Sequence, residues 1–161
     1  MSFHIPDGVQ CSPIMGCSAE ARDFASGVIV GTSHVPDEGT SSWDTPPLFA
    51  NAFTYTDEQG ALRLPDLEGG EASSGAYAIS RDGRVVAGFG SDETGQHAVV
   101  WMERAPMRLD DLFTEAGGEL PEGFRLSDVR AISSDGRAFA GNGTNPDGAP
   151  EGFRIILPTA P

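Results

Sequence analysis

The chain has no lysine; all ten of its cationic side chains are arginine. That absence removes Schiff-base chemistry, which needs a lysine amine, and the phosphate loop whose lysine reaches the β- and γ-phosphates. Cations are scarce altogether: ten stand against 24 carboxylates, for a formal charge of −14. A surface of that sign repels phosphate backbones and anionic lipid heads, so neither nucleic acid nor a membrane surface is an expected partner. No apolar run approaches the length that spans a bilayer, so membrane insertion is not expected either. Met1 to Gln10 has no cationic start and no apolar run, and no signal peptide is read there. Ile14-Met15-Gly16-Cys17 has the outline of a lipoprotein cleavage box without the hydrophobic segment that precedes one. Cys11 and Cys17 are the only cysteines. A disulfide between them would require an oxidising compartment, and closing so short a loop would add only about 2 kcal/mol. No Gly-x-Ser-x-Gly elbow, His-Glu-x-x-His or Cys-x-x-Cys pair occurs. No catalytic residue is nominated, and the reading leans away from an enzyme.

What the chain does have is glycine (21) and proline (12), about a fifth of 161 residues, beside 39% apolar residues. That mixture is too apolar for disorder and suits one domain of many short strands and tight turns. An internal repeat decides the architecture. Ala78-Ile79-Ser80-Arg81-Asp82-Gly83-Arg84-Val85-Val86-Ala87-Gly88 recurs 53 residues later as Ala131-Ile132-Ser133-Ser134-Asp135-Gly136-Arg137-Ala138-Phe139-Ala140-Gly141. A weaker copy, Ala21 to Gly31, lies 57 residues before the first. Asp-Gly between two apolar runs reads as a hairpin turn, because glycine accepts positive φ without steric cost. The short β-branched run after it reads as an inner strand.

A second module follows each copy. Asn51-Ala52-Phe53-Thr54-Tyr55 is answered by His97-Ala98-Val99-Val100-Trp101 and, more loosely, by Gly152-Phe153-Arg154-Ile155-Ile156. Arg63-Leu64-Pro65-Asp66-Leu67 is answered by Arg108-Leu109-Asp110-Asp111-Leu112. The spacing predicts an all-β fold of three antiparallel, propeller-blade-like units, roughly 19–77, 78–130 and 131–158, with 1–18 as an N-terminal strand or loop segment. A single helix is predicted over Asp110 to Ala116, capped by Asp110 and stopped by Gly117-Gly118. Three such units leave their end faces open, so an oligomer-completed ring is expected, or closure by Phe3-His4-Ile5 pairing with the last unit.

The pattern Ala-Ile-Ser-x-Asp-Gly-x-Val-Val-x-Gly, then His-Ala-Phe-like residues at 97–99 and 51–53, then Leu-x-Asp-Leu, resembles the HAF repeat over about residues 19 to 158. The resemblance implies a bacterial, propeller-like protein, extracellular or periplasmic; the function expected of such a frame is a non-catalytic binding or scaffolding module that presents its loops. The family usually has more repeats and an export signal, from which this chain departs.

Within that frame the loop between the second and third strands differs between units. Ten residues separate Gly88 from Ala98 and eleven separate Gly141 from Gly152, but 21 separate Gly31 from Ala52. An insertion the scaffold does not need is where binding tends to sit. It carries Asp37, Glu38, Trp43 and Asp44, with His34 just before it. Trp43 suits stacking on a sugar ring with polar neighbours on its hydroxyls, and equally suits capping the core or a subunit contact. The ligand is therefore expected to be carbohydrate or protein. Acids recur in the equivalent loops, Asp92 with Glu93 and Asp147 beside Asn145. Calcium is the only cofactor such loops would suit, although solvated hairpin tips explain them as well. His97 occupies the repeat's own position and is read as structural. Two alternatives stand beside the binding module: a hydrolase or lyase with acids at a central channel, and a self-assembling structural subunit.

Overall fold

The computed structural model describes residues 18–36, 48–69 and 73–158. Cys11, Cys17 and the closing strand expected at Phe3-His4-Ile5 lie outside them. The fold is all-β with one short helix. Three antiparallel meanders follow one another along the chain. The first sheet runs β1 (Ser18–Ala25), β2 (Val28–Pro36), β3 (Leu48–Thr56) and β4 (Gly60–Arg63). The second repeats that order with β5 (Ser74–Ile79), β6 (Val85–Asp92), β7 (Gly95–Met102) and β8 (Ala105–Arg108). The third has β9 (Arg125–Ile132), β10 (Ala138–Thr144) and β11 (Pro150–Ile156). The second and third sheets begin ahead of Ala78 and Ala131, because the recognisable motif spans the end of one strand and the start of the next.

The expected turns form, and their chemistry explains the repeated Ser-x-Asp-Gly. Ser80 Oγ donates to Asp82 Oδ1 at 2.6 Å and accepts the Val85 amide at 3.0 Å. Gly83 then turns the chain at φ 77°. Ser133, Asp135 and Gly136 (φ 72°) repeat the device. In the first sheet the turn is instead the two residues Ser26-Gly27, so strand β1 aligns with β5 at an offset of 55 residues rather than 57. The third copy also shifts. Gly141 lies opposite Phe153, as Gly88 lies opposite Val99 and Gly31 opposite Phe53. Glu151-Gly152-Phe153 therefore answers His97-Ala98-Val99, one residue earlier than the loose sequence match from Gly152. A one-residue slip would have exchanged the two faces of the strand.

Face by face, the core explains the stacking. Strand β7 is buried on both sides. Val99 and Trp101 pack with Val30, Ala52 and Leu64 of the first sheet, while Ala98 and Val100 pack with Val129, Phe139 and Ile155 of the third. The middle sheet is thus sandwiched, and β5 lies against both β1 and β9. Among the described residues no closed barrel or ring is formed. The helix α1 (Leu109–Glu115) follows β8, with Leu109 fully buried as Leu64 is after β4. Its N-cap is Arg108, which makes no side-chain cap bond. Asp110 does not cap it from outside, as expected, but sits in its first turn. Gly117, at φ 84°, ends it.

Each first strand carries a β-bulge. The extra residues are Arg22, Tyr77 and Arg130. Opposite each bulge is the last glycine of the repeat, and the reason is a close approach. A Cβ at Gly31, Gly88 or Gly141 would lie about 2 Å from the carbonyl oxygen of Glu20, Gly75 or Asp128 respectively. No side chain fits there. Gly88→Ala should therefore cost about 1–3 kcal/mol through overpacking, lowering the melting temperature by a few degrees in a chain of this size. Gly152→Ala, whose added Cβ meets only the Gly141 oxygen at 3.7 Å, should leave it nearly unchanged. Thermal unfolding of the two variants checks the pair.

Candidate binding surface

Because the three sheets share one strand order, their second-to-third-strand loops emerge at one end. That end gathers the paired strand ends Pro36 and Leu48, the Asp92–Gly95 turn and the Asn145–Ala149 turn. The inserted loop of the first sheet spans from Pro36 to Leu48, which pair directly. Its candidate residues Asp37, Glu38, Trp43 and Asp44 lie outside the described residues. His34 lies within them, half-buried on β2 between Ser18 of β1 and Ala50 of β3.

In the other two loops Asp92 and Asn145 are committed to their own turns. Asp92 Oδ1 accepts the Thr94 amide at 2.7 Å and the Thr94 hydroxyl at 2.6 Å. His97 Nε2 stands 3.0 Å from the same oxygen and 2.8 Å from Thr94 Oγ1. Arg108 reaches Asp92 Oδ2 at 3.5 Å and is held in turn by Asp110. Threonine, histidine and aspartate side by side invite comparison with a nucleophilic triad, but the geometry differs. A triad uses one imidazole nitrogen for the nucleophile and the other for the carboxylate. Here one nitrogen faces both groups. Thr94 Oγ1 already donates to Asp92, so it can only accept from His97, and Nε2 is the donor. The histidine braces the hairpin, as its place in the repeat implied. In the third sheet Asn145 Oδ1 accepts the amides of Asp147 and Ala149. Among the described residues no three His, Cys, Asp or Glu side chains come together as a metal site.

A different constellation, absent from the sequence reading, joins the three sheets along their first strands. The bulge residues form a column. Arg22 lies 5.4 Å from the Tyr77 ring centre and Arg130 lies 4.4 Å from it. Each cation–π contact contributes about 0.5–1 kcal/mol at a partly exposed site. Asp128 grips Arg130 through two bonds of 2.9 and 3.0 Å and also accepts from Asn142. Glu20 pairs with Arg22 at the matching position. The signal was present in the sequence but displaced: the three residues align only when the shorter Ser26-Gly27 turn is allowed for.

Cross-sheet bonds hold this end-to-end order. Ser26 Oγ donates to the Arg81 carbonyl at 2.7 Å, and the Arg81 amide donates to the Ser134 carbonyl at 3.1 Å. Arg104 donates to the Arg63 carbonyl at 2.7 Å, and Asp23 accepts the Ile79 amide at 3.0 Å. Ser26 and Arg104 are two of three non-glycine residues with positive φ among the described residues. Both spend that backbone strain on a bond to the neighbouring sheet.

Compared with models of known families, with curated proteins and with solved structures, the chain matches none.

The turn carboxylates set an acid dependence. The Thr94 hydroxyl and amide, helped by His97, hold Asp92 well below the ordinary carboxylate range. The Ser80 hydroxyl and Arg84 amide lower Asp82, and the Ser133 hydroxyl and Arg137 amide lower Asp135. A depressed folded-state pKa gives stability that is present above the unfolded value, about 3.9, and is lost as pH falls through the folded one. Thermal stability should stay level from neutral pH to about 5 and fall below about 4. Asp92→Asn should reduce the slope of that acid limb, as thermal melts across pH would show.

Proposed function

We propose that the chain is a non-catalytic binding or scaffolding module of the HAF-repeat kind. Its blade-like sheets present loops from one end of a propeller-like frame, and the ligand is a glycan or a protein. The observation that carries this reading is the contrast between loops at that end. Two are short, and Asp92 with Thr94 in one and Asn145 in the other are committed to their own turns. The third, on the first sheet, is lengthened by about ten residues relative to its counterparts, and it brings Trp43 with Asp37, Glu38 and Asp44. His34 stands at its base on β2. A rigid frame with one enlarged, aromatic loop is how β-scaffolds commonly carry recognition.

The alternative, a hydrolase or lyase with acids converging on a central channel, has less behind it. At the loop end Asp92 is occupied by its own hairpin, and His97 donates toward it rather than standing as a base.

Binding to an arrayed panel of oligosaccharides tests the proposal. Wild-type chain should be retained on particular sugars. Trp43→Ala should bind about tenfold more weakly, since an aromatic stack contributes about 1.5 kcal/mol, with an unchanged melting temperature. Retention on no sugar would move the reading to a protein ligand. Release of cleaved sugar by the wild type, abolished in His34→Ala, would overturn the non-catalytic assignment.

A further inference from the structure

The repeat itself identifies what its two end faces are for. Register places Phe24 and Ile29 of the first sheet where Ile79 and Val86 stand in the second and Ile132 and Phe139 in the third. Ile79, Val86 and Phe139 are buried against the sheet before them. Phe24 has no described sheet before it and is 65% exposed. At the other end, Ile156 stands where Met102 stands in the second sheet. Met102 packs against the sheet after it, and Ile156 is 52% exposed. Among the described residues these two are the exposed large hydrophobics. Phe24 occupies a position that the second sheet buries and Ile156 one that the second sheet partly buries, and they lie on opposite ends of the stack.

The two faces also differ in kind. At both internal junctions alanines of the leading sheet, beside larger residues such as Val30 and Val100, meet large side chains of the following sheet. Ala52 of the first sheet meets Val99 and Trp101, and Ala87 and Ala98 of the second meet Phe139 and Ile155. The outer face of the third sheet offers Ala138, Ala140 and Gly152 around Ile156, with the exposed Arg154 opposite Ala140, where the second sheet buries Val100. The outer face of the first offers large ones, Phe24 and Ile29 with Phe53. One surface carries alanines and a glycine around Ile156, and the other carries the larger apolar side chains.

We infer that the chain associates head to tail with a second copy of itself, the outer face of the third sheet against the outer face of the first. A single contact of this type covers both exposed hydrophobics at once, which no one peptide segment laid on either end would do. It is heterologous, so it propagates until the rotation per copy closes a ring or continues as a filament. It is independent of what the enlarged loop binds. Charge opposes it: each copy carries −14, and Arg130 of one copy would approach Arg22 of the next. Both arginines already have carboxylate partners, and salt screens what remains, so association should strengthen as salt is added.

The test is solution mass by light scattering for the full chain, for Phe24→Asp, for Ile156→Asp and for an equal mixture of the two variants. Both side chains are exposed, so the variants should melt like the wild type. The wild-type mass should rise above 16.9 kDa with concentration. Each variant alone should stay monomeric, having one spoiled face. The mixture should form one-to-one pairs and stop there, because Phe24→Asp retains the Ile156 face and Ile156→Asp retains the Phe24 face. A wild-type monomer at every concentration and salt would overturn the inference. So would continued association of either variant alone, which marks a face pairing with itself, or a mixture that remains monomeric. A melting temperature lowered by Phe24→Asp but not by Ile156→Asp, in a monomeric protein, would assign the first face to residues 1–17 and also overturn it. Sugar binding is read separately on the array, so failure of one proposal leaves the other standing.

Discussion

A β-sheet that is apolar on both faces cannot exist alone in water, and the middle sheet of this protein is such a sheet. Four consecutive residues of β7, Ala98 to Trp101, are buried, alternating between two different cores. Fully burying one side chain the size of Val99 contributes roughly 1.5–3 kcal/mol, so leaving either face wet would consume a large part of the stability of a domain this size. The flanking sheets follow from that requirement. They are the nearest surfaces able to cover it, and because they are copies of the same unit they cover it in the same orientation. Stacking in series then sends equivalent loops to one end and equivalent bulges to one line.

The polar groups of the molecule mostly serve this order. Ser80 and Ser133 close their own turns, Trp101 donates its indole N–H to the Pro65 carbonyl at 2.7 Å, and Ser74 accepts the Ala52 amide across the first junction. Such bonds add little net stability each, about 1 kcal/mol, but they fix which face meets which. Hydrophobic contact alone would tolerate sliding; an amide that must find its carbonyl would not. The Arg22–Tyr77–Arg130 column works in the same sense, tying three first strands whose sequences otherwise diverge.

This economy also separates scaffold from function. Where a loop is short, as at Asp92–Gly95, its acid, hydroxyl and imidazole are used up by the turn, and little chemistry is left to offer a ligand. The first unit carries about ten residues at this position that its two counterparts do without.

Composition and periodicity by themselves determined the all-β class, three units, the Asp-Gly turns, the helix after Arg108 and the unequal loop. All of these rest on interactions between residues close in the chain, or on a repeat that announces itself. His97 was legible as structural from its place in the repeat, and the structure gives it the role of bracing the hairpin through Asp92 and Thr94. The tertiary structure alone decided the pairing register of the third unit, the inter-sheet bonds of Ser26 and Arg104, and the column through Tyr77. Those depend on strands more than 50 residues apart, and on a two-residue difference in turn length that shifts which side chains align. It alone decided, too, that Phe24 and Ile156 are exposed. Both are large apolar residues on strands, and the position of their sheets at the two ends of the stack leaves them uncovered.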